Sequence, residues 1–345
     1  MSTAAKPAWQ TICARHRVAD DVRARQEVLL TVIPLALAWI AAVALYDISK
    51  VAVVAVDVVV AGFLMRLFVL QHDAGHGALF ATRESNDRFG MVACVPLLVP
   101  YLEWRKSHAI HHKISSQLDH RIFPDIYTFT LAEYRAFPLW KKIAYRVFRH
   151  PLILFGVIPL YFFFVSCRIK GSMCPTLPRG RNLANLMATT TTATLMLVGL
   201  CWALGPGRVL LVFLPAQFIA GALGFWLFYV QHQAEYTFWA RDSEWSYEKA
   251  ALQGSSFLDL SPPLAWLTGW VGFHHVHHLD PRIPCWRLRD VHHDLVAAGV
   301  FTAPRLSGVD GLRTMQLTLW DEKRNRMVPF AAAEDAAEDD VAAAA

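Results

Sequence analysis

The chain has 345 residues, of which 55% are hydrophobic and 18% are charged, with a formal net charge of +5. Soluble domains carry about 25% charged residues, so this composition argues against an ordinary soluble globular protein and favours an integral membrane protein. The small net charge does not favour a nucleic-acid-binding protein and fits a membrane protein with one basic face.

The two ends of the chain differ in composition from the part between them. Residues 1–27 are polar and basic and show no cleavable signal pattern, which predicts a cytoplasmic N-terminal segment. Residues 331–345 are a low-complexity run of Ala, Asp and Glu, which predicts a disordered tail. Apolar segments and histidine clusters alternate from 28 to 330, so this region is predicted to form a single domain. The six cysteines form no C-x-x-C pair, which predicts reduced, packed thiols.

Four apolar segments are long enough to cross a bilayer. A spanning helix needs about 20 apolar residues, and the four candidates are 28–46, 51–70, 185–204 and 208–230. Very short turns, DISK and GPG, join them into two hairpins. A fifth run, 151–166, is shorter and contains two prolines.

Three histidine clusters lie beside these segments. HDAGH, HAIHH and HHVHH each place their histidines at helical offsets of three or four residues, hence on one helix face. Burying so many imidazoles without partners would be costly, and they exceed the three ligands of a catalytic zinc. The pattern therefore predicts a site for two transition metals, with iron favoured for redox chemistry. The eight candidate ligands are His72, His76, His108, His111, His112, His274, His277 and His278.

Parity places the three clusters on one side of the membrane. If only the four long segments cross, the N-terminus and residues 71–184 and 231–345 share a side. If 151–166 also crossed, the third cluster would be stranded opposite the first two, so 151–166 is predicted not to span. Of the 33 Lys and Arg residues, 30 lie in the three regions on that side, which predicts a cytoplasmic site by the positive-inside rule.

The remaining histidines are weighed one by one. His232 follows the fourth segment at the membrane exit, and the residues alone leave a structural role and a ligand role equally open. His275 points away from the face that its neighbours share. We expect six histidines to be surface or supporting residues and not ligands, namely His16, His120, His150, His275, His292 and His293.

The clusters and their flanking residues resemble the membrane fatty acid desaturases. QHDAGHGALF, YLEWRKSHAIHHKISSQLD, WSYEKAALQGSSF and LTGWVGFHHVHHLDPRIPCWRL are similar to the bacterial acyl-lipid desaturases of the Δ12-like branch. The resemblance implies an all-α membrane fold: four transmembrane helices in two hairpins under a cytoplasmic helical cap that holds a di-iron site. It also implies His232 as a ninth ligand, and an O2-dependent enzyme of a bacterial inner membrane that makes a cis double bond in a membrane lipid's acyl chain. Electrons would come from ferredoxin or a similar donor. Trp270 stands where relatives usually carry Asn, which leaves the substrate open.

Further residues are candidates for supporting roles. Asp125, Glu235 and Asp280 could orient ligand histidines through the second ring nitrogen, although surface salt bridging is the simpler interpretation of each. A substrate tunnel could be lined by Trp104, Trp226, Trp239 and Trp270, although tryptophans near a membrane also serve as interfacial anchors. An acidic electron donor could dock near Arg105, Lys106 and Lys113.

Two alternative functions remain at this point. A membrane hydroxylase of an alkane, sterol or carotenoid would share the histidine pattern and differ in product. A histidine-based metal transporter or sensor would need more ionisable residues in the spans than Asp57 and Arg66.

Overall fold

The computed structural model describes residues 7–121, 125–173, 180–300 and 304–334. Cys174 and most of the predicted tail, 335–345, lie outside these ranges. The helices are α1 (Ala8–His16), α2 (Asp21–Leu45), α3 (Lys50–His76), α4 (Arg83–Leu97), α5 (Tyr101–Ile114), α6 (Leu131–Ala136), α7 (Leu139–Arg149), α8 (Ile158–Phe164), α9 (Gly180–Leu204), α10 (Pro206–His232), α11 (Tyr247–Gln253), α12 (Pro262–Leu267), α13 (His274–Leu279), α14 (Leu288–Ala297) and α15 (Gly308–Arg313).

Four of these helices, α2, α3, α9 and α10, are long and apolar enough to cross a membrane. They overlap the four predicted segments almost completely, and each begins before the predicted start. Helix α2 begins seven residues earlier than predicted, because the Asp20 side chain accepts a hydrogen bond from the Arg23 N–H and caps it. Helix α3 continues to His76 and ends at Gly77, whose φ of 72° a glycine adopts without strain.

The two hairpin turns meet at one end of the bundle. Arg208, at the start of α10, pairs with Asp47 and lies over the Tyr46 ring, with 4.9 Å between its Cζ and the ring centroid. The histidine-bearing ends of α3 and α10 are therefore at the opposite end from both turns. This arrangement separates a short-turn end from a histidine end.

The segment between the hairpins is bent. Leu139–Arg149 and Ile153–Arg168 meet at 57°, with a π-helical turn at Ile153–Val157. Both sides of the segment contact the histidine end of the bundle. Arg149 donates to the Tyr229 hydroxyl at 2.8 Å and to Gln233 Oε1 at 2.9 Å, and the Met173 carbonyl accepts from Ser107 Oγ at 2.9 Å.

Arg66, one of the two charged residues within the predicted segment 51–70, joins three elements. Its guanidinium bonds Glu27 of α2, Thr31 of α2 and the Trp266 carbonyl of α12. Asp57, the other charged residue, is fully buried, and its carboxylate has no hydrogen-bond partner within the described ranges.

The sequence pattern did not predict five very short strands. β1 (Phe129–Thr130), β4 (Leu319–Asp321) and β5 (Arg326–Val328) form one sheet, and β2 (Phe257–Asp259) pairs in parallel with β3 (Arg305–Ser307). Each is two or three residues long, which is too short for an alternating pattern to show. They fasten the C-terminal residues to the histidine end.

Candidate metal centre

Nine histidines converge into two groups at the histidine end. The first group is His72, His76, His108, His112 and His277, and the second is His111, His232, His274 and His278. Within each group the nitrogens that could serve as ligands all lie within 4.8 Å of one another. These nine are the residues that the sequence and the family resemblance nominate.

Each group draws on three helices, and the clusters divide between the groups by helical geometry. On α5, His108 and His112 are four residues apart and face the first group, while His111 faces the second. On α13 the assignment is reversed, with His274 and His278 in the second group and His277 in the first. Two H-x-x-H-H clusters can thus supply two metals from one helix face each.

The spacing of the inward nitrogens fits metal coordination. The Nε2 atoms of His72 and His108 are 2.9 Å apart, and those of His112 and His277 are also 2.9 Å apart. In the second group His232 and His274 are separated by 2.9 Å. Ligand nitrogens at about 2.1 Å from a metal and at right angles to each other lie about 3.0 Å apart.

The outer ring nitrogens indicate which atom faces inward. His232 Nδ1 lies 3.1 Å from the Gly254 carbonyl oxygen, which only accepts, so the proton is on Nδ1 and a lone pair points inward. His111 Nδ1 lies 2.6 Å from Asp125 Oδ1, and His72 Nδ1 lies 3.3 Å from Asp73 Oδ1. Carboxylate or carbonyl partners of this kind are typical of metal-binding histidines.

Burial keeps the ligand histidines of α5 and α13 neutral. Burial, together with the neighbouring imidazoles, lowers the pKa of His108, His112, His274, His277 and His278 well below the usual histidine value. The neutral imidazole is the form that binds metal.

The residues present fit a two-metal centre. Lone pairs directed at one another without a cation between them would repel, and His76 Nε2 is buried with no hydrogen-bond partner among the described residues. A cation in each group would satisfy these atoms. An all-imidazole donor set suits iron, copper, zinc or nickel.

The other six histidines lie outside both groups. His16 contacts Asp294 at 2.9 Å, and His120 contacts Asp242 at 3.2 Å. His275 Nε2 lies 3.1 Å from His292 Nδ1, on the far side of α13 from the ligands.

Two of the three predicted orienting carboxylates face arginines and not histidines. Asp280 bonds Arg17 and Arg282, and Glu235 Oε1 lies 3.3 Å from Arg326 Nη1. Helix α1 packs on α14, and this packing brings Arg17 to Asp280. Because the two residues are far apart in the sequence, the local sequence pattern does not predict their contact. Asp73 and the Gly254 carbonyl take the supporting positions that the sequence interpretation missed. Asp73 had one signal, since it directly follows His72 in HDAGH.

An apolar cavity borders both groups. This membrane cavity, of about 170 Å³, lies between α3, α8 and α10 and reaches four of the histidines, His72, His108, His111 and His274. Its walls are mainly aromatic and aliphatic, including Phe68, Trp104, Phe162, Phe163, Phe225 and Phe228. The Trp104 ring stacks on His108 at 4.8 Å between centroids.

Trp104 is the one tunnel candidate of the four that lines this cavity. Trp239 packs with Leu118 and Trp320, and Trp226 lies against Gly311. Trp270 lines a different pocket. The sequence interpretation favoured tryptophans, whereas the cavity wall includes four phenylalanines from α8 and α10, namely Phe162, Phe163, Phe225 and Phe228.

Comparison with known proteins agrees with this geometry. The sequence profile described as fatty acid desaturase matches residues 48–301, which include all nine histidines. A fatty acid desaturase of Bacillus subtilis is 37% identical over 310 residues, which are 89% of this chain and 85% of that protein.

More distant relatives carry more specific names. An sn-1 acyl-lipid omega-3 desaturase (ferredoxin) of Synechocystis is 29% identical over 236 residues, covering 65% of this chain and 61% of the relative. A chloroplastic omega-6 fatty acid desaturase of Glycine max is 25% identical over 296 residues, covering 80% of this chain and 63% of the relative. Shared sequence over most of the chain, four membrane-spanning helices and two histidine groups lead to one assignment: the chain belongs to the fatty acid desaturase family.

Proposed function

We propose that the protein is an oxygen-dependent fatty acyl desaturase that uses two iron ions. The observation that carries this proposal is that histidines of both groups line one apolar cavity. An acyl chain bound in that cavity would lie next to both candidate metal positions. Family membership then favours acyl desaturation over other oxidations.

The overall reaction removes two hydrogens from neighbouring methylene carbons. O2 accepts these two hydrogens together with two electrons and two protons from outside, giving one carbon–carbon double bond and two waters. The two histidine groups would hold the iron ions, which would supply the O2 activation and the hydrogen abstraction when bound. The protein holds the chain and excludes water.

The chain's own residues have identifiable positioning roles. Asp125 fixes the ring of His111, and the Gly254 carbonyl fixes that of His232. Phe228 packs against His111 with 5.1 Å between centroids and keeps that side of the centre apolar. Small errors matter here, because a shift of about 1 Å at a reacting centre can cost roughly 100-fold in rate.

We infer a membrane lipid as the acyl substrate and ferredoxin or a similar acidic protein as the electron donor. Relatives from Synechocystis and Nostoc are named as acyl-lipid desaturases with ferredoxin. Lys106 and Lys113 are exposed on α5, and a donor could dock on them. Arg105 is less suitable than predicted, because it is paired with Asp87.

We place the metal centre on the cytoplasmic face of a bacterial inner membrane. The Lys and Arg excess at the histidine end supports this orientation. With both ends of the 139–173 segment at the histidine end, residues 151–166 enter the bilayer and return without spanning it.

Expression in a host without polyunsaturated fatty acids tests the proposal. We expect fatty acids two hydrogens lighter than those of the empty host. The His111→Ala variant should form no such product. Fatty acids that gain one oxygen would instead identify a hydroxylase, and an unchanged product from His111→Ala would contradict the metal assignment.

A further inference from the structure

A second pocket lies at the histidine end, beside the membrane cavity. The segment Trp270–Val271 lies between the two, with Trp270 lining the second pocket and Val271 lining the membrane cavity. We call the second pocket the rim pocket; its volume is about 450 Å³. Its walls combine aromatic residues with cations and imidazoles, including Phe257, Trp270, Phe273, Arg289, His292 and Arg305. Trp270 is the tunnel candidate that lines this pocket and not the membrane cavity, and the other side chains named here have no role assigned above.

Helix α12, which forms one wall, packs on α3, a helix long and apolar enough to cross a membrane. Its Trp266 carbonyl accepts from Arg66 of α3, and its Leu267 packs so closely on Gly62 that an added Cβ there would lie 2.7 Å from Leu267 Cδ2. Leu264, on the same helix, is 53% exposed. An exposed leucine beside a spanning helix indicates that lipid covers this rim.

The polar side of the rim pocket favours an anion. Arg305 is paired with Asp259 at 2.5 Å. Arg289 is exposed and has no carboxylate within 4.0 Å among the described residues, and its guanidinium lies 5.8 Å from the centroid of the Trp270 ring. An unpaired guanidinium beside an aromatic wall suits a phosphate ester attached to an apolar body.

Trp270 holds its place in a strained backbone conformation. Its φ is 57°, in the left-handed region that bulky residues rarely occupy, and the preceding Gly269 has φ of 60°. The reversal directs Trp270 into the rim pocket, while the next residue, Val271, lines the membrane cavity. Strain of this kind persists where the surroundings enforce it and often marks a ligand site.

We propose that the rim pocket binds the phosphate group of a membrane phospholipid, with Arg289 as its principal cation and Trp270 as the wall beside the glycerol backbone. The apolar rim at Leu264 and the half-exposed Val296 (48%) favour a lipid over free phosphate. If the bound lipid is also the substrate, which rests on the proposed desaturase function, this contact holds its headgroup beside the membrane cavity, separated from it by the segment Trp270–Val271.

Titration of the iron-loaded, full-length protein in neutral detergent, followed by native mass spectrometry, tests the binding. The probes are dioleoylphosphatidylglycerol, dioleoylglycerol without phosphate, and inorganic phosphate. We expect Arg289→Gln to bind the phospholipid about tenfold more weakly, because it loses a charged hydrogen bond. The matched control is Arg324→Gln, an exposed arginine near Asp321 outside the pocket; it should bind as the parent does.

A second variant guards against misfolding. Trp270→Asn removes the ring and introduces a residue that tolerates positive φ. The variant should therefore fold, and it should bind the phospholipid more weakly than the parent does. Equal phospholipid binding by the parent and both variants would overturn the proposal, as would equally tight binding of dioleoylglycerol. Inorganic phosphate that binds as tightly as the phospholipid would overturn the lipid assignment.

Product analysis separates this inference from the proposed function. In a desaturase, Arg289→Gln should raise KM for a phosphatidylglycerol-linked substrate and leave kcat unchanged. A parent protein that binds the phospholipid but makes no product would refute the desaturase proposal alone. A parent that makes product without Arg289-dependent lipid binding would refute the inference alone.

Discussion

At the scale of single residues, the outer ring nitrogens of three ligand histidines have partners that indicate which nitrogen faces the metal site. Gly254, Asp125 and Asp73 hold three imidazoles so that lone pairs point into the two groups. The nine histidines and Asp125 could be nominated from spacing and family resemblance, whereas Asp73 and the Gly254 carbonyl were not. Gly254 acts through its backbone, which no side-chain pattern reveals.

Removing one ligand should lower the iron content of the protein. His112→Ala takes an imidazole from the middle of the first group, 2.9 Å from His277 and 3.0 Å from His108. We expect the purified protein to fall from about two irons per chain to one or fewer, measured by elemental analysis. His120→Ala, which removes an exposed histidine paired with Asp242, should keep the parent's iron content. Full iron in His112→Ala would refute its assignment as a ligand.

Changing the partner of a ligand should weaken iron binding without abolishing it. Asp125→Asn keeps the side-chain shape and removes the charge that accepts from His111 Nδ1. Partners of this kind are worth roughly 10–100-fold in metal affinity or activity, so a chelator should strip iron from Asp125→Asn at correspondingly lower concentration. Glu235→Gln, whose parent carboxylate pairs with Arg326, is the matched control. Identical chelator curves for the two variants would contradict the role of Asp125.

At the scale of elements, the spans were predictable and the walls of the cavity were not. Long apolar runs identify α2, α3, α9 and α10 from composition alone. The cavity depends on how α8 meets α10, where Gly221 lies so close to Phe163 that an added Cβ would be 2.8 Å from the ring. Such contacts between distant segments leave no periodic trace in the sequence.

Filling the cavity should block the reaction and spare the metals. Gly224 of α10 lines the cavity, and a Cβ there would meet Met65 Sδ at 3.7 Å, so Gly224→Phe has room only by entering the cavity. We expect at least about a tenfold loss of product, as near-attack geometry is lost, with unchanged iron content. Gly199→Phe on α9, where a Cβ would meet nothing within 4 Å, should keep full activity. Normal product from Gly224→Phe would rule out this cavity as the acyl site.

At the scale of the whole molecule, pairing of distant histidines constrains how often the chain crosses the bilayer. His112 and His277 belong to one group, so the chain between them crosses an even number of times. If helices α9 and α10 supply two crossings, no single crossing is left for the bent segment, which we propose returns to the side from which it enters. The even number of crossings could be predicted from the order of the clusters in the sequence. The bend of 57° could not be predicted in this way.

Reporter fusions test this topology. Alkaline phosphatase is active only outside the cytoplasm, so it should be active when inserted at 47–49, in the first hairpin turn. It should be inactive when joined after Pro138 or after Gly171, on either side of the bent segment. Activity after Gly171 alone would show that the segment spans.

The proposed function requires that two irons beside the membrane cavity desaturate an acyl chain. Its most direct test is product mass after purified, iron-loaded protein is given a phospholipid with a fully deuterated acyl chain, O2 and a reduced ferredoxin. We expect a chain that has lost two deuterium atoms and gained a double bond, and no such chain from His112→Ala. A product that has gained oxygen, or no product from protein that holds both irons, would contradict it.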